Sequence, residues 1–339
     1  FAGFGEQFLA AGIPADMAFS LFAPNAPFFP NAQAFFLDNP VAGPVDIVQN
    51  TGTLRYNALQ AEIRRRFSDG LYFQANYTFQ KTLGNSSGGA ITDNNDQTRF
   101  EPNLDNLNPG LEYGRLNYDQ THVFNLNTIY ELPFGKGKRW LNSGEWINRL
   151  FGGFQITSIV RASTGAPLNL TDPSRGTLNR SARTSRQTPQ TSLTKDEIKD
   201  LIGIFDTPCG IFYINPSVVD INLSNCTGTG RASRGFGTAP FQGQVFFNNN
   251  PGQSGGLERN FINGPFYLNW DAGLIKNIQI TERVRFQIRG EAFNVLNRAN
   301  LAVSGTQQQS LFNINSSTFG RLTTGFSPRV VQFAGRLEF

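Results

Sequence analysis

The last twelve residues of the chain, 328–339, alternate between apolar and polar side chains. Val331, Phe333, Gly335, Leu337 and Phe339 share one face, and the positions between them are mainly polar. A period of two with one apolar and one polar face predicts a β-strand whose two faces meet different surroundings. The chain stops on the apolar face, which is unusual for a soluble strand because its end normally frays into water.

The same alternation recurs along the chain and predicts an all-β protein. In one segment Leu71, Phe73, Ala75, Tyr77 and Phe79 share a face, and the opposite face is mostly polar. Counted in this way, the chain has seven predicted antiparallel strands in a meander, at about 53–67, 71–83, 119–132, 154–168, 267–280, 284–296 and 328–339.

The connections between these strands alternate in length. The turns 68–70 and 281–283 are short and 134–153 is moderate, whereas 84–118, 169–266 and 297–327 are long. Outer-membrane β-barrels show this asymmetry, with short periplasmic turns and long extracellular loops, and a soluble sandwich has no reason to sort its loops. We therefore expect a transmembrane β-barrel in the bacterial outer membrane with its C-terminus in the periplasm. Residues 1–52 would then be an extracellular segment that enters the barrel.

Composition agrees with a barrel and excludes other classes. The chain has 339 residues and a mean hydropathy of −0.30. It contains no apolar run of the roughly 18 residues that a transmembrane helix needs. Barrel strands look hydrophilic on average because half of their residues face a polar lumen. The balance of 29 basic against 25 acidic residues is too weak to indicate nucleic-acid binding.

Seven strands do not close a conventional barrel, because bacterial single-chain barrels use even strand numbers. Each open edge would leave about ten backbone donors and acceptors in hydrocarbon, at several kcal/mol each. That cost exceeds a typical domain stability of about 5–15 kcal/mol. We therefore expect the chain to be the C-terminal part of a larger barrel.

Several local motifs resemble TonB-dependent outer-membrane receptors. A strand with Asp271 and Lys276 is followed by a Glu-Arg turn and then by Arg289-Gly-Glu-Ala-Phe-Asn-Val-Leu-Asn297. Tyr130-Glu-Leu-Pro-Phe-Gly-Lys-Gly-Lys138 and Gly255-Gly-Leu-Glu-Arg-Asn260 resemble the Oar-like subgroup, although Phe154 stands where that subgroup would have Trp. The resemblance covers roughly 50–339.

The resemblance implies a barrel of about 22 strands with an N-terminal plug. It also implies a TonB-contacting segment, and we expect neither this segment nor the plug within this chain. Oar-like receptors usually carry an N-terminal carboxypeptidase-regulatory-like domain as well. The expected partners are the lipid bilayer, the barrel-assembly machinery through the C-terminal strand that ends at Phe339, the TonB complex through the N-terminal part, and an extracellular ligand that the sequence does not identify.

Charged residues on the polar faces of the strands should face the barrel lumen. These residues could line a substrate path. Alternatively, opposite charges on neighbouring strands could pair and hold the register of the sheet, and we favour this second role. The set comprises Glu62, Arg64, Arg66, Glu131, Asp271, Arg285, Arg289, Glu291 and Arg336.

The long loops 84–118, 169–266 and 297–327 are the expected ligand-binding regions, because loops on a rigid scaffold carry most binding residues. Within the longest loop, Thr194-Lys-Asp-Glu197 forms a capping box before apolar residues at helical spacing. This pattern predicts a short helix near 194–204, with a solvated charge cluster as the alternative. In the same loop, Cys209 and Cys226 are either a disulfide, which an oxidising compartment favours, or two free thiols.

One residue does not fit the pattern of faces. Lys276 shares parity with the outward-facing Leu274, near the periplasmic end of its strand. Either the side chain snorkels to the headgroups, or a bulge resets the register there.

Enzymatic chemistry is not expected. The single histidine, His122, falls on the outward face near the membrane interface, so it is not placed as a general base. Asp93, Asp96 and Asp105 form an acidic loop cluster without the fuller ligand set and glycine of a calcium loop. We therefore predict no catalytic residues, no metal site and no cofactor.

The function that these features favour is active uptake of a scarce, bulky ligand by a TonB-dependent receptor, of which this chain is a fragment. A passive porin or a surface adhesin is the first alternative. A soluble all-β binding protein is the second.

Overall fold

The computed structural model describes residues 52–85, 91–92, 98–99, 110, 113–142, 144–172, 188–235, 237–249, 255–281, 283–301, 303 and 311–339. The entry segment predicted at 1–52 lies outside this range except for its last residue, and so do Asp93, Asp96 and Asp105.

Seven long strands form one antiparallel sheet, called the wall below, in which every strand pairs with its neighbours in sequence. The strands are β1 (Leu54–Ser68), β2 (Leu71–Gly84), β3 (His122–Glu131), β4 (Phe154–Ser163), β5 (Tyr267–Gln279), β6 (Arg285–Phe293) and β7 (Val330–Glu338). In the part of the chain that the structure describes, β1 and β7 are the two edges and the sheet is not closed.

The tight turn between β1 and β2 has the geometry that its sequence favours. Asp69 and Gly70 have φ angles of 51° and 77°, and Ser68 pairs with Leu71. Positive φ at both central residues is the type I′ pattern, which an Asp-Gly pair adopts with little strain. The register shifts by one residue between Arg65 and Ser68, just before this turn.

The apolar face of the wall is exposed. Leu59 is 65% exposed, Leu274 47% and Phe333 82%. A water-facing sheet would not display such a continuous apolar surface, since patches of this kind mark interaction with another molecule or a membrane. Among the described residues, no helix has the length and apolar content that crossing a bilayer requires.

The predicted strand 154–168 is too long. β4 ends at Ser163, and Pro167–Leu168 pairs instead with Ile262–Asn263, outside the wall. Proline cannot donate a ladder hydrogen bond, so it does not continue a central strand. Gly165 also lies against Gly264 so closely that a Cβ on Gly165 would be 2.3 Å from the Gly264 backbone.

The hydrophobic core lies outside the wall, in segments that the sequence described only as loops. The described parts of 164–266 and 294–329 pack together into one body at the long-loop end of the wall, which we call the cap. Its core consists of Leu168, Leu170, Ile198, Phe212, Tyr213, Ile214, Val218, Val219, Ala232, Phe246, Phe261, Ile262, Leu311, Phe312, Ile314, Phe319 and Leu322.

Short strands join the two halves of the cap. Gly210–Ile214 pairs on one side with Ile202–Thr207 and on the other with Arg321–Leu322, which comes from the last loop. Ile221–Asn222 pairs with Thr227–Gly228, and Pro216–Val218 is a 3₁₀ turn. Elsewhere, Gly114–Arg115 pairs antiparallel with the end of β2, and Ile91–Thr92 pairs with Thr98–Arg99.

Two helices are described. Helix α1 (Glu145–Phe151) lies in the connection between β3 and β4, at the short-turn end of the wall. Helix α2 (Lys195–Asp200) lies in the cap and confirms the helix predicted near 194–204. In α2 both halves of the capping box form between Thr194 and Glu197, and the hydrogen bonds from Thr194 lower the pKa of Glu197.

Candidate functional site

The cap is fixed to the end of the wall by a buried charged pair. Arg115 donates to Asp119 at 2.9 Å and to the side chain of Asn263, in the cap, at 2.7 Å. Asp119 is fully buried and also accepts from the backbone N–H of Thr82, in β2, at 2.7 Å. The Asp119 carboxylate therefore joins the long-loop end of β2 to Arg115, which in turn contacts the cap through Asn263.

A second attachment of the cap to the wall comes from Asn300, whose side-chain amide pairs with the backbone of β5 as the backbone of a neighbouring strand would. It accepts from the backbone N–H of Leu268 at 3.1 Å and donates to the carbonyl of the same residue at 2.8 Å. Inside the cap, Tyr213 donates its hydroxyl hydrogen bond to the carbonyl of Asn263 at 2.9 Å, and burial raises the pKa of Tyr213 to about 12. The Asn300 contacts therefore join the cap to β5, and the Tyr213 contact joins two segments within the cap.

A buried carboxylate organises one side of the cap. Asp172 is fully buried and accepts from the amide side chain of Asn248 at 2.7 Å and from the backbone and side-chain N–H groups of Asn249 at 2.8 and 3.1 Å. Asn315, from the last loop, donates to it at 3.2 Å. The carboxylate therefore joins segments more than 140 residues apart, 143 between Asp172 and Asn315.

Asn248 of this network lines a cleft of about 500 Å³, which we call the amide cleft. Ser233, which also lines the cleft, donates to the side chain of Asn248 at 2.7 Å, and the ring of Phe247 in the same lining is 39% exposed. Hydroxyl and amide groups beside an exposed ring suit a neutral ligand rich in hydrogen-bonding groups. The lining residues are Gln190, Thr191, Ser192, Ser233, Gly235, Gly237, Phe247 and Asn248.

A second cleft, of about 620 Å³, opens beside the disulfide that the structure forms between Cys209 and Cys226. Its charged group is Asp220, which accepts two hydrogen bonds from Arg234 and one from Thr229 at 2.8 Å. The hydrogen bonds from Arg234 lower the pKa of Asp220, against the opposing effect of burial. Leu223, Thr227 and Phe241 also line this cleft.

The antiparallel wall and the comparison with known families together identify the protein family. The sequence profile of the outer membrane beta barrel domain matches residues 15–332. The chain belongs to that family. No curated protein and no solved structure matches the chain.

The family confirms the predicted fold class and location. The antiparallel wall is that of an outer-membrane β-barrel, the protein resides in the bacterial outer membrane, and its surroundings are the lipid bilayer. The exposed apolar face of the wall is therefore the lipid-facing surface, since lumen-facing and lipid-facing residues alternate along barrel strands.

The polar face of the barrel domain carries the charged residues predicted for the lumen. The register aligns Glu131, Gln155, Ile275, Arg289 and Ala334 in one row across five strands. Glu62, Arg64, Asp271, Arg285, Glu291 and Arg336 lie on the same face, whereas Arg66 falls at the register shift before the first turn.

The partners of these charges are mainly amides. Glu62 accepts from Gln74 at 3.0 Å, Glu291 accepts from Gln332, and Asp271 accepts from Asn269 at 2.8 Å. Among the described residues, this set makes ion pairs between Glu131 and Lys138 and between Arg336 and Glu338. Neither pair joins two neighbouring wall strands, so amide groups, which both donate and accept, replace the expected pairing of opposite charges.

His122 lies on the lipid-facing side of the barrel domain, as its parity predicts. Its ring nitrogen Nδ1 is 2.8 Å from the hydroxyl of Tyr77, and its ring lies 5.1 Å from that of Phe79. In the described part of the chain, no group of three or more histidine, cysteine or acidic side chains is arranged to hold a metal ion.

Sequence reasoning missed the residues that build the clefts. Asp172, Asn248 and Ser233 carry no motif, and their relationship depends on separations of 76 and 15 residues. The only local signal is the run Phe246-Phe247-Asn248-Asn249, in which a buried ring, an exposed ring and two buried amides follow one another.

Proposed function

We propose that this barrel domain belongs to a TonB-dependent outer-membrane receptor of the Oar-like kind. The receptor captures a scarce, bulky ligand at the cell surface and admits it with energy relayed from the inner membrane through TonB. The short turns of the wall then face the periplasm and the cap faces the exterior, because barrels of this membrane place their long loops outside.

The observation that carries the proposal is the cap. Two long loops are folded into one body with its own hydrophobic core, an internal carboxylate network and two clefts. A passive porin needs an open mouth, whereas a receptor needs a rigid surface that presents ligand-binding groups. The cap supplies such a surface, and the amide cleft offers neutral hydrogen-bonding groups for ligand capture.

The polar wall supports the same function. Its amide and charged side chains hydrogen-bond along the face that lines the lumen, from Glu62 to Gln332. We propose that this face packs against a plug from the N-terminal part of the receptor and forms part of the conduit. The last strand, β7, with Phe339 at its end, is the segment that the barrel-assembly machinery would engage. The domain has no catalytic role in this scheme.

Two measurements on the full-length protein test the proposal without knowledge of the ligand. Liposomes that contain the purified receptor should not swell in isotonic arabinose, because a plugged barrel does not conduct passively. The receptor should also bind the purified periplasmic domain of TonB. Rapid swelling without TonB would establish the passive porin instead, and a non-conducting barrel without TonB binding would favour the adhesin.

A further inference from the structure

Helix α1 exposes an apolar face. Successive residues of an α-helix are rotated by about 100°, so Trp146, Ile147, Leu150 and Phe151 fall on one side of α1. They are 77%, 36%, 62% and 51% exposed, respectively. Trp140, in the turn before the helix, is 52% exposed as well.

The helix is held in place by its polar groups. The side chain of Asn148 accepts from the backbone N–H of Lys136 at 2.7 Å, which fixes α1 to the preceding turn. Lys276 donates to the carbonyl oxygens of Leu150, at 3.1 Å, and of Gly152. These contacts use polar atoms, and most of the apolar face stays open, with Trp146 and Leu150 the most exposed of its side chains.

Lys276 also shows on which side of the wall the helix lies. It is in register with Phe154 and Ile288 on the lipid-facing side, and the pairing of β5 runs without a bulge from Ala272 to Gln279. Its ammonium group is 4.4 Å from the centre of the Phe154 ring. The lysine therefore bends along the lipid-facing surface to the end of α1, and the bulge alternative is wrong.

The charge of this connection suits a phospholipid surface. Residues 132–153 contain four basic residues and one acidic residue, Glu145, for a net charge of +3. Lys136, Arg139 and Arg149 are exposed, and Arg139 lies 5.5 Å from the Trp140 ring. Basic side chains beside exposed tryptophan and leucine are the composition of segments that lie in the plane of a membrane interface.

We propose that α1 and its preceding turn form an interfacial anchor that binds the phospholipid leaflet at the short-turn end of the barrel. The apolar face lies among the acyl chains beside Leu274, and the basic residues contact the phosphate groups. A protein partner is less consistent with the structure, because the face continues the lipid-facing surface and is only four side chains wide. The identity of the leaflet as periplasmic rests on the orientation under the proposed function, whereas the contact with lipid does not.

Nitroxide accessibility in the full-length receptor tests the anchor. Spin labels are placed by Trp146→Cys and Leu150→Cys on the apolar face and by Arg149→Cys on the polar face, in nanodiscs of phosphatidylethanolamine and phosphatidylglycerol. The only two cysteines of this chain are joined in a disulfide, so they do not compete for the label. Leu274→Cys is the reference in lipid, and Asp196→Cys, on the exposed helix α2, is the reference in water.

Labels at 146 and 150 should collide with oxygen and be shielded from a water-soluble nickel complex, as at 274. The label at 149 should be reached by the nickel complex, as at 196. Access of the nickel complex to all three positions would place α1 in water and overturn the proposal. Shielding of 146 and 150 from both reagents would show a protein cover and overturn it equally.

Two further readouts separate charge and orientation. Arg139→Gln and Arg149→Gln should each lower the affinity with which the receptor retains phosphatidylglycerol about fivefold, since a basic residue near an anionic surface contributes about that factor. Unchanged retention of this lipid by the variants would overturn the role of charge.

In intact cells, a membrane-impermeant thiol reagent should not modify Arg149→Cys. Modification from outside would overturn the periplasmic assignment and the proposed orientation, and would leave the lipid contact standing.

Discussion

Arg234 donates two hydrogen bonds to the carboxylate of Asp220, at 2.9 and 3.0 Å, beside the second cleft of the cap. This fork geometry is the strong form of an arginine–carboxylate contact. The hydrogen bonds from Arg234 lower the pKa of Asp220 below the pKa of an aspartate in an unfolded chain, which is about 3.9. A carboxyl with a depressed folded pKa contributes stability above its unfolded pKa and loses it as the pH falls through the folded value.

We therefore expect the cap to lose stability below about pH 4, and Asp220→Asn to remove this part of the acid sensitivity. Hydrogen exchange of residues 219–234, corrected for the intrinsic rate at each pH, measures it. The matched control is Asp196→Asn, because Asp196 and Lys199 form an exposed pair at 2.8 Å that contributes little. Equal acid sensitivity in the wild type and in Asp220→Asn would contradict the prediction.

The second prediction concerns the disulfide between Cys209 and Cys226, which are 17 residues apart. Opening a loop of this length costs about 3 kcal/mol in the chain-entropy description. Reduction, or Cys209→Ser with Cys226→Ser, should therefore accelerate exchange in 202–235 and leave the wall strands unchanged. The double variant should not respond to reductant. Loss of protection in β5 or β6 on reduction would show that the disulfide supports the wall instead.

The third prediction uses two adjacent phenylalanines with opposite roles. Phe246 is fully buried, with its ring 6.1 Å from that of Phe319, so it joins the two loops of the cap. Phe247 is 39% exposed in the amide cleft. Phe246→Ala should destabilise the cap by about 3–5 kcal/mol, as is typical for a buried ring.

Phe247→Ala should leave the cap folded and reduce ligand binding instead. Denaturant unfolding, monitored by hydrogen exchange within the cap, separates a loss of cap stability from a loss of ligand binding in a folded cap. If both substitutions unfold the cap equally, the exposed ring supports the fold rather than the cleft.

The difference between the wall and the cap explains what the sequence could predict. A wall strand such as β2 (Leu71–Gly84) repeats one pattern from Leu71 to Phe79, so the alternation of side chains is visible locally. The turn at Asp69 and the capping box at Thr194 were also predicted correctly, because each is decided by residues within four positions.

The cap could not be predicted in this way. Its strands are two to six residues long, and Phe212 pairs with Arg321 across 109 positions of the chain (321 − 212). The buried network around Asp172 has no periodic signal, since the donors to its carboxylate come from two separate segments, at 248–249 and at 315. Such contacts depend on tertiary packing, which overrides local propensity.

The fourth prediction tests that network directly. Asp172→Ala removes the acceptor of the Asn249 backbone N–H and of the Asn315 amide, and one of the two acceptors of the Asn248 and Asn249 side chains. A buried donor that loses its partner costs about 1–3 kcal/mol. We expect a loss of about 3 kcal/mol or more in cap stability, together with collapse of the amide cleft. Asp206→Ala, on an exposed position of the same cap, should change stability by less than about 0.5 kcal/mol. Similar unfolding midpoints for the two variants would contradict the role of Asp172.

The last prediction concerns Lys276, whose ammonium group joins the wall to the end of α1. Lys276→Met keeps the length of the side chain but removes the donor to the carbonyl oxygens of Leu150 and Gly152. Since the site is partly exposed, the loss should be about 1 kcal/mol. It should appear as faster hydrogen exchange in 145–153, with β5 unchanged. Lys276→Arg, which retains donors, should keep most of the protection. If Lys276→Met leaves exchange in α1 unchanged while β5 loosens, then the lysine stabilises the wall and α1 is held by Asn148 alone.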